Sequence, residues 1–152
     1  IDVMKTLCNG CGVKIVNIDI DQFAVERCIK ESYDGKFSDK NILLIGCKES
    51  RFDFSLISNG KLRYYDFLIS GKENFKSLID KQLESVSSKF ADFNFDQIFI
   101  YGNERSLKVK GFIENELKRF SVSMLNPLNT KISQDDESKY APLYGLALKN
   151  FS

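Results

Sequence analysis

Asn59-Gly60 stands between two stretches that read as strands, Arg51 to Ser58 and Lys61 to Ile69, and it restricts the possible folds more than any other feature of the chain. A two-residue hairpin loop of the I′ type needs positive φ at both central residues, and Asn followed by Gly meets that need at the least steric cost. Such a loop sets Ser58 opposite Lys61. Phe54 and Leu56 are then expected to share a face with Arg63, Tyr65 and Phe67. Just upstream, Asn41 to Gly46 is a nearly continuous apolar strand. Three antiparallel strands therefore form the centre of the expected fold.

The flanking pattern completes it. Asp2 to Asn9 reads as the last turns of a helix closed by glycine, and Val13 to Ile18 alternates as a short strand. Asp19 stands three residues before Gln22, a capping-box spacing that opens a helix carrying Phe23, Val25, Cys28 and Ile29 to about Tyr33. After Gly71 the apolar residues fall on a helical stripe through Phe75, Leu78, Ile79, Leu83, Val86 and Phe90. Gln97 to Tyr101 is a short buried strand ending in Gly102. A helix follows from about Ser106, its expected N-cap, to Phe120. Val122 to Leu125 makes another strand, 129–138 a polar loop with Asp135, Asp136 and Glu137 in solvent, and Lys139 to Phe151 a last helix through Tyr140, Leu143, Tyr144, Ala147 and Leu148. The order is β-β-β-α-β-α-β-α behind a short helix-strand-helix. This α/β plan is that of the ribonuclease H-like unit, which actin-like ATPases use twice and several nucleases once. At 152 residues the chain can bury one substantial core.

Composition removes whole classes of chemistry. There is no histidine, so Ser-His-Asp and Cys-His arrangements, histidine bases and mixed Cys/His zinc sites are all absent. The 22 basic and 21 acidic residues nearly cancel, which argues against the broad positive field that nucleic-acid binding uses. Cys8 and Cys11 form a Cys-x-x-Cys, but at the end of a helix rather than after a strand, and Cys28 and Cys47 supply no second pair. Reduced structural thiols are expected. The longest apolar runs fall far short of a bilayer span.

Two places in this plan would carry phosphate or metal chemistry. The first hairpin, Gly46-Cys47-Lys48, follows a strand in which a magnesium-binding carboxylate belongs, and that position is Leu44. Gly46 could let a phosphate approach the backbone, and Lys48 is expected to be a solvated lysine. The second, Gly102-Asn103, is where a purine-binding loop is glycine-rich, whereas Asn103, Glu104 and Arg105 fill it here. Gly102 is expected to be a turn residue with positive φ. Asp19 and Asp21 are expected to serve a helix start rather than a paired-carboxylate site. No catalytic or metal-binding residue is assigned. Gly46, Cys47, Lys48, Gly102 and Asn103 remain as the candidate, degenerate nucleotide loops.

The residues Gly12 to Asp19 followed by Phe23-Ala24, the Asn59-Gly60 hairpin, Phe95 to Gly102, Leu125-Asn126-Pro127-Leu128 and Tyr144-Gly145-Leu146-Ala147-Leu148 together resemble the PilM family of type IV pilus assembly proteins. More loosely, they resemble the GspL cytoplasmic domain of type II secretion. The resemblance runs over nearly the whole chain. It implies that residues 1–38 are the end of a preceding subdomain with its linking helix, and 39–152 the second actin-fold domain. The start at Ile1, with an apolar segment almost at once, likewise suggests a piece of a longer protein. The resemblance further implies a cytoplasmic platform at the inner membrane that holds partner proteins, among them an assembly ATPase and a membrane protein with a short cytoplasmic tail. Because both loops depart from the family pattern, a scaffold without a bound cofactor is expected over a switch that binds ATP and magnesium.

Overall fold

In a computed structural model, residues 3, 6, 8, 10–12, 20–33, 35–70, 74–90, 94–118, 120–128 and 135–149 are described. Their elements are α1 (Asp21–Ser32), β1 (Asn41–Cys47), β2 (Arg51–Ser58), β3 (Lys61–Ile69), α2 (Phe75–Lys89), β4 (Gln97–Gly102), α3 (Arg105–Phe112), β5 (Val122–Met124) and α4 (Ala141–Leu148). The expected strand over Val13 to Ile18 and the cap at Asp19 lie outside the described residues.

The sheet order is β3-β2-β1-β4-β5, with β1, β2 and β3 antiparallel and β4 and β5 parallel to β1. Asn59 (φ 51°) and Gly60 (φ 65°) both take the left-handed conformation, as the turn chemistry requires. One face of the sheet packs Leu43, Ile45, Phe54 and Ile100 against Ile79, Leu83 and Val86 of α2 and Val109 of α3. The other packs Ile42, Leu44 and Phe99 against Val25, Cys28 and Ile29 of α1 and Ala141 of α4. With helices on both faces, β1 and β4 are buried almost end to end. β2 is buried on both faces as well, although its sequence alternates like a strand with one wet side.

Three expectations are corrected. Pairing of β2 with β3 shifts between Leu56 and Ile57, because β3 takes up an extra residue at Arg63. Phe54 therefore faces Asp66 and Leu56 faces Tyr64, while Tyr65 and Phe67 lie beside Ser55 and Asp53 on the opposite face. The helix expected from Ser106 to Phe120 is α-helical only to Phe112. It widens into a π turn over Ile113–Leu117 and stops at Lys118 with φ 52°. The last helix is preceded by a 3₁₀ turn, Asp135–Tyr140, and starts at Ala141 with Pro142 in its first turn.

The inner face of α4 is not its leucines. Ala141 and Gly145, one turn apart, are buried, whereas Tyr140 and Leu143 are exposed. Two small residues let α4 approach α1 so closely that a Cβ on Gly145 would sit 1.7 Å from the Ala24 carbonyl oxygen. Arg27 of α1 closes the crossing by donating to the Gly145 carbonyl at 2.7 Å. Glu137, expected in solvent, is half-buried, and its Oε2 is buried without a hydrogen-bond partner.

Candidate functional site

β1 and β4 run in parallel side by side, so their C-terminal ends open on the same edge of the sheet, where ligands of α/β folds usually bind. Gly46 pairs with Tyr101 and Cys47 with Gly102, and this register brings Gly46, Cys47, Lys48, Gly102 and Asn103 together. Beside Cys47, Lys48, Gly102 and Asn103 lies a cavity of about 490 Å³ that Gly46 does not line, with Asp21 of α1, Glu49, Tyr101, Glu104, Lys139 and Pro142 among its other walls.

The contacts of each residue show what it does there. Gly46 makes room for the Tyr101 ring: a Cβ at position 46 would lie 2.6 Å from the Tyr101 hydroxyl oxygen. That phenol is itself buried, and burial, aided by the nearby carboxylate of Asp53, raises its pKa far above the ordinary value. The Lys48 ammonium is not free in solvent but paired, its side chain 27% exposed. It meets Asp21 Oδ2 at 2.5 Å and Asp53 Oδ2 at 2.9 Å. Asp53 is 1% exposed and is also approached by Arg51 Nε at 3.0 Å and the Tyr65 hydroxyl at 3.2 Å. The Arg51 and Lys48 contacts to Asp53 are close charge pairs rather than aligned hydrogen bonds, since neither Arg51 Nε nor Asp53 Oδ2 has a hydrogen bond of good geometry.

Burial alone would lower the Lys48 pKa, but the two carboxylates outweigh it and the value is raised. The stabilisation from a raised lysine is complete below its unfolded pKa and disappears as pH climbs through the folded one. Lys48→Met is accordingly expected to cost about 2 kcal/mol near neutral pH, since Arg51 still partners Asp53. In urea unfolding, its deficit against the native protein should shrink as the pH rises past the ordinary lysine value of about 10.4.

Cys47 points away from the cavity into the core, and burial pushes its thiol up to about 12. Cys28 is likewise pushed up to about 11 by burial. All four cysteines are unpaired, with Cys11 exposed and Cys8 half-buried. At about pH 8 an alkylating reagent should therefore label Cys8 and Cys11 quickly, and Cys28 and Cys47 only after unfolding. Mass spectrometry of the native and urea-treated protein reads this directly.

Gly102 has φ 121°, as its turn role demands, and a Cβ there would lie 2.1 Å from the Cys47 carbonyl oxygen. Asn103 donates its N–H to that same oxygen at 3.0 Å. Its side-chain oxygen accepts from the Arg105 N–H at 3.1 Å, and its carbonyl accepts from Ser106 Oγ at 2.6 Å. Ser106 is thus inside α3 rather than at its N-cap, which is Glu104 without a side-chain cap bond, and Asn103 holds the turn just before it.

Arg105 turns away from the cavity. It donates to the carbonyls of Lys48 (3.2 Å) and Glu49 (2.9 Å) and to Ser70 Oγ (2.6 Å), and lies over the Phe52 ring. One guanidinium thereby straps the β1–β2 turn to α3. The sequence placed Arg105 in the second loop, which its side chain leaves, and did not single out Asp53 or Tyr101, or Asp21 as a lysine partner. The only signal at Asp53 was a carboxylate between Phe52 and Phe54, which reads equally as a wet strand face. Among the described residues, no group of three or more side chains is placed to hold a metal ion.

No family model matches the sequence, and no curated protein does either. Solved structures do. PilM in the PilM–PilN type IV pilus biogenesis complex aligns with 99% of this chain and 57% of its own, with a TM-score of 0.73 and 14% identity. The fold is actin-like. The ethanolamine utilization protein EutJ of Carboxydothermus hydrogenoformans aligns over 97% of this chain and 60% of its own (TM-score 0.58, 14% identity). The AlfA filament bound to AMPPNP aligns over 83% and 42% (TM-score 0.53, 14% identity). The chain thus spans roughly half the length of these structures, and at such identity the likeness is one of fold. Among the described residues no helix is long and apolar enough to cross a membrane.

Proposed function

We propose that the chain is part of a non-catalytic scaffold of pilus assembly, an actin-like body that binds partner proteins and whose former nucleotide seat is occupied by its own side chains. The observation that carries this reading is the Lys48 ammonium, held between Asp21 and Asp53 beside a Gly46 covered by Tyr101. A phosphate would have to break both ion pairs and displace a buried phenol.

The residues present do not suit magnesium and ATP. The position for the metal-binding carboxylate is Leu44, 1% exposed in the core. Glu49, Glu104 and Asp21 line the cavity and would oppose a triphosphate. The α3 N-terminus offers few amides, since Arg105 N–H and Ser106 N–H are already taken by Asn103. The likeness to PilM, seen in complex with PilN, supports a cytoplasmic role beside the inner membrane with protein partners.

The competing reading is a nucleotide-dependent switch of the same machinery, favoured by the cavity itself and by AlfA, a protein of the same fold found with AMPPNP. Affinity capture of the intact protein from its own cells separates the two. Recovery of inner-membrane pilus-assembly proteins in equal amounts with and without Mg-ATP is expected. Capture that requires the nucleotide would replace the scaffold by the switch.

A further inference from the structure

β3 is the edge of the sheet, and among the described residues no strand lies beyond it. Its outer half carries Tyr65, Phe67 and Ile69 on one face, 41%, 46% and 72% exposed. An open edge with an apolar row is a template for pairing with another chain. Antiparallel pairing of two copies about Phe67 would set Tyr65 against Ile69 of the other copy and Phe67 against its counterpart. On the other face Asp66 would meet Leu68. On the Phe67 face apolar residues would meet apolar ones, and on neither face would like charges oppose each other, so a second copy of this chain is the natural occupant.

Two features stand against it. The Arg63 bulge breaks the regular edge at one end. At the other, the Phe67 N–H is bonded not to β2 but to the Asp66 carboxylate at 2.9 Å. Ser70 N–H points inward to Ser50 O, so residues of the opposite parity, Phe67 among them, turn their N–H groups outward. The Asp66 side chain is held in that position by the Tyr64 hydroxyl (2.7 Å) and by Gln82 of α2 (3.0 Å). We propose that Asp66 is an edge guard: its carboxylate occupies the outward N–H of Phe67 and keeps β3 from pairing with a second copy of the chain. Tyr64 and Gln82 act as positioning residues. The hydroxyl bond from Tyr64, the main cause, lowers the Asp66 pKa, so the guard stays an acceptor at neutral pH.

Sedimentation velocity tests this at protein concentrations of about 100 µM, high enough to show the weak pairing expected of an interface far smaller than about 1,200 Å². The native chain should be monomeric, and Asp66→Ala should shift toward a dimer. Adding Phe67→Arg to Asp66→Ala, which sets two arginines face to face, should restore the monomer. A native chain already paired through β3, or an Asp66→Ala chain that is folded and monomeric, would overturn the proposal. Should Asp66→Ala fail to fold, hydrogen exchange on the native chain decides it. The Phe67 amide should exchange roughly fivefold more slowly than those of Tyr65 and Ile69. Equal rates would overturn the guard.

Discussion

Gly145→Ala should lower the unfolding free energy by about 3 kcal/mol or more, against the usual sign for a glycine inside a helix. Helix propensity alone would favour alanine by about 1 kcal/mol. The added methyl, however, would lie 1.7 Å from the Ala24 carbonyl oxygen and 2.4 Å from its carbon, and both atoms belong to the backbone of α1. Neither can rotate aside, so α4 must lift off α1, and the Arg27 bond to the Gly145 carbonyl goes with it. For a chain of this size the loss corresponds to a fall in Tm of roughly 6–12 °C. Gly111 is the control. A Cβ there would meet nothing closer than 3.9 Å, so Gly111→Ala in α3 should stabilise by about 0.5–1 kcal/mol. Urea titrations of both variants beside the native chain give the comparison.

Gly102→Ala should be comparably costly, at about 3 kcal/mol or more, for two additive reasons. At φ 121° any side chain is strained, and the new Cβ would lie 2.1 Å from Cys47 O, the acceptor that Asn103 N–H uses. The parallel contact of β1 with β4 at this end would open, and with it the strap that Arg105 makes across the β1–β2 turn. Circular dichroism thermal scans should show a loss near that of Gly145→Ala. A variant as stable as the native chain would mean that the two strand ends are further apart than described.

The parts of this architecture legible in the sequence were those written in local chemistry. Asn59-Gly60 named its own turn, Gly102 its positive φ, and the helical and alternating periods the order of elements. The bulge at Arg63 was not legible, because nothing in a two-residue turn forbids an extra residue three positions later. Nor was the double burial of β2, since α1, which helps cover its second face, lies earlier in the chain and alternation cannot report it. Lys48 read as a solvated lysine because its partners, Asp21 and Asp53, reach it through the tertiary fold. Gly145 and Ala141 were hidden for a different reason. A buried helix face made of small residues leaves no hydrophobic stripe, and Leu143 and Leu146 of α4 are exposed. The five loop residues named from the sequence do come together at the ends of β1 and β4, whereas Asp53 and Tyr101, whose side chains brace or occlude those loops, were not named, and Arg105, expected to fill the second loop, straps the β1–β2 turn instead.

Isothermal titration of the intact protein with Mg-ATP bears most directly on whether the cavity at the ends of β1 and β4 is closed to nucleotide. No saturable heat is expected up to about 1 mM, that is, a binding free energy weaker than about 4 kcal/mol. Saturation in the micromolar range, weakened by Lys48→Ala, would contradict it, because the ammonium would then be gripping phosphate rather than Asp21 and Asp53.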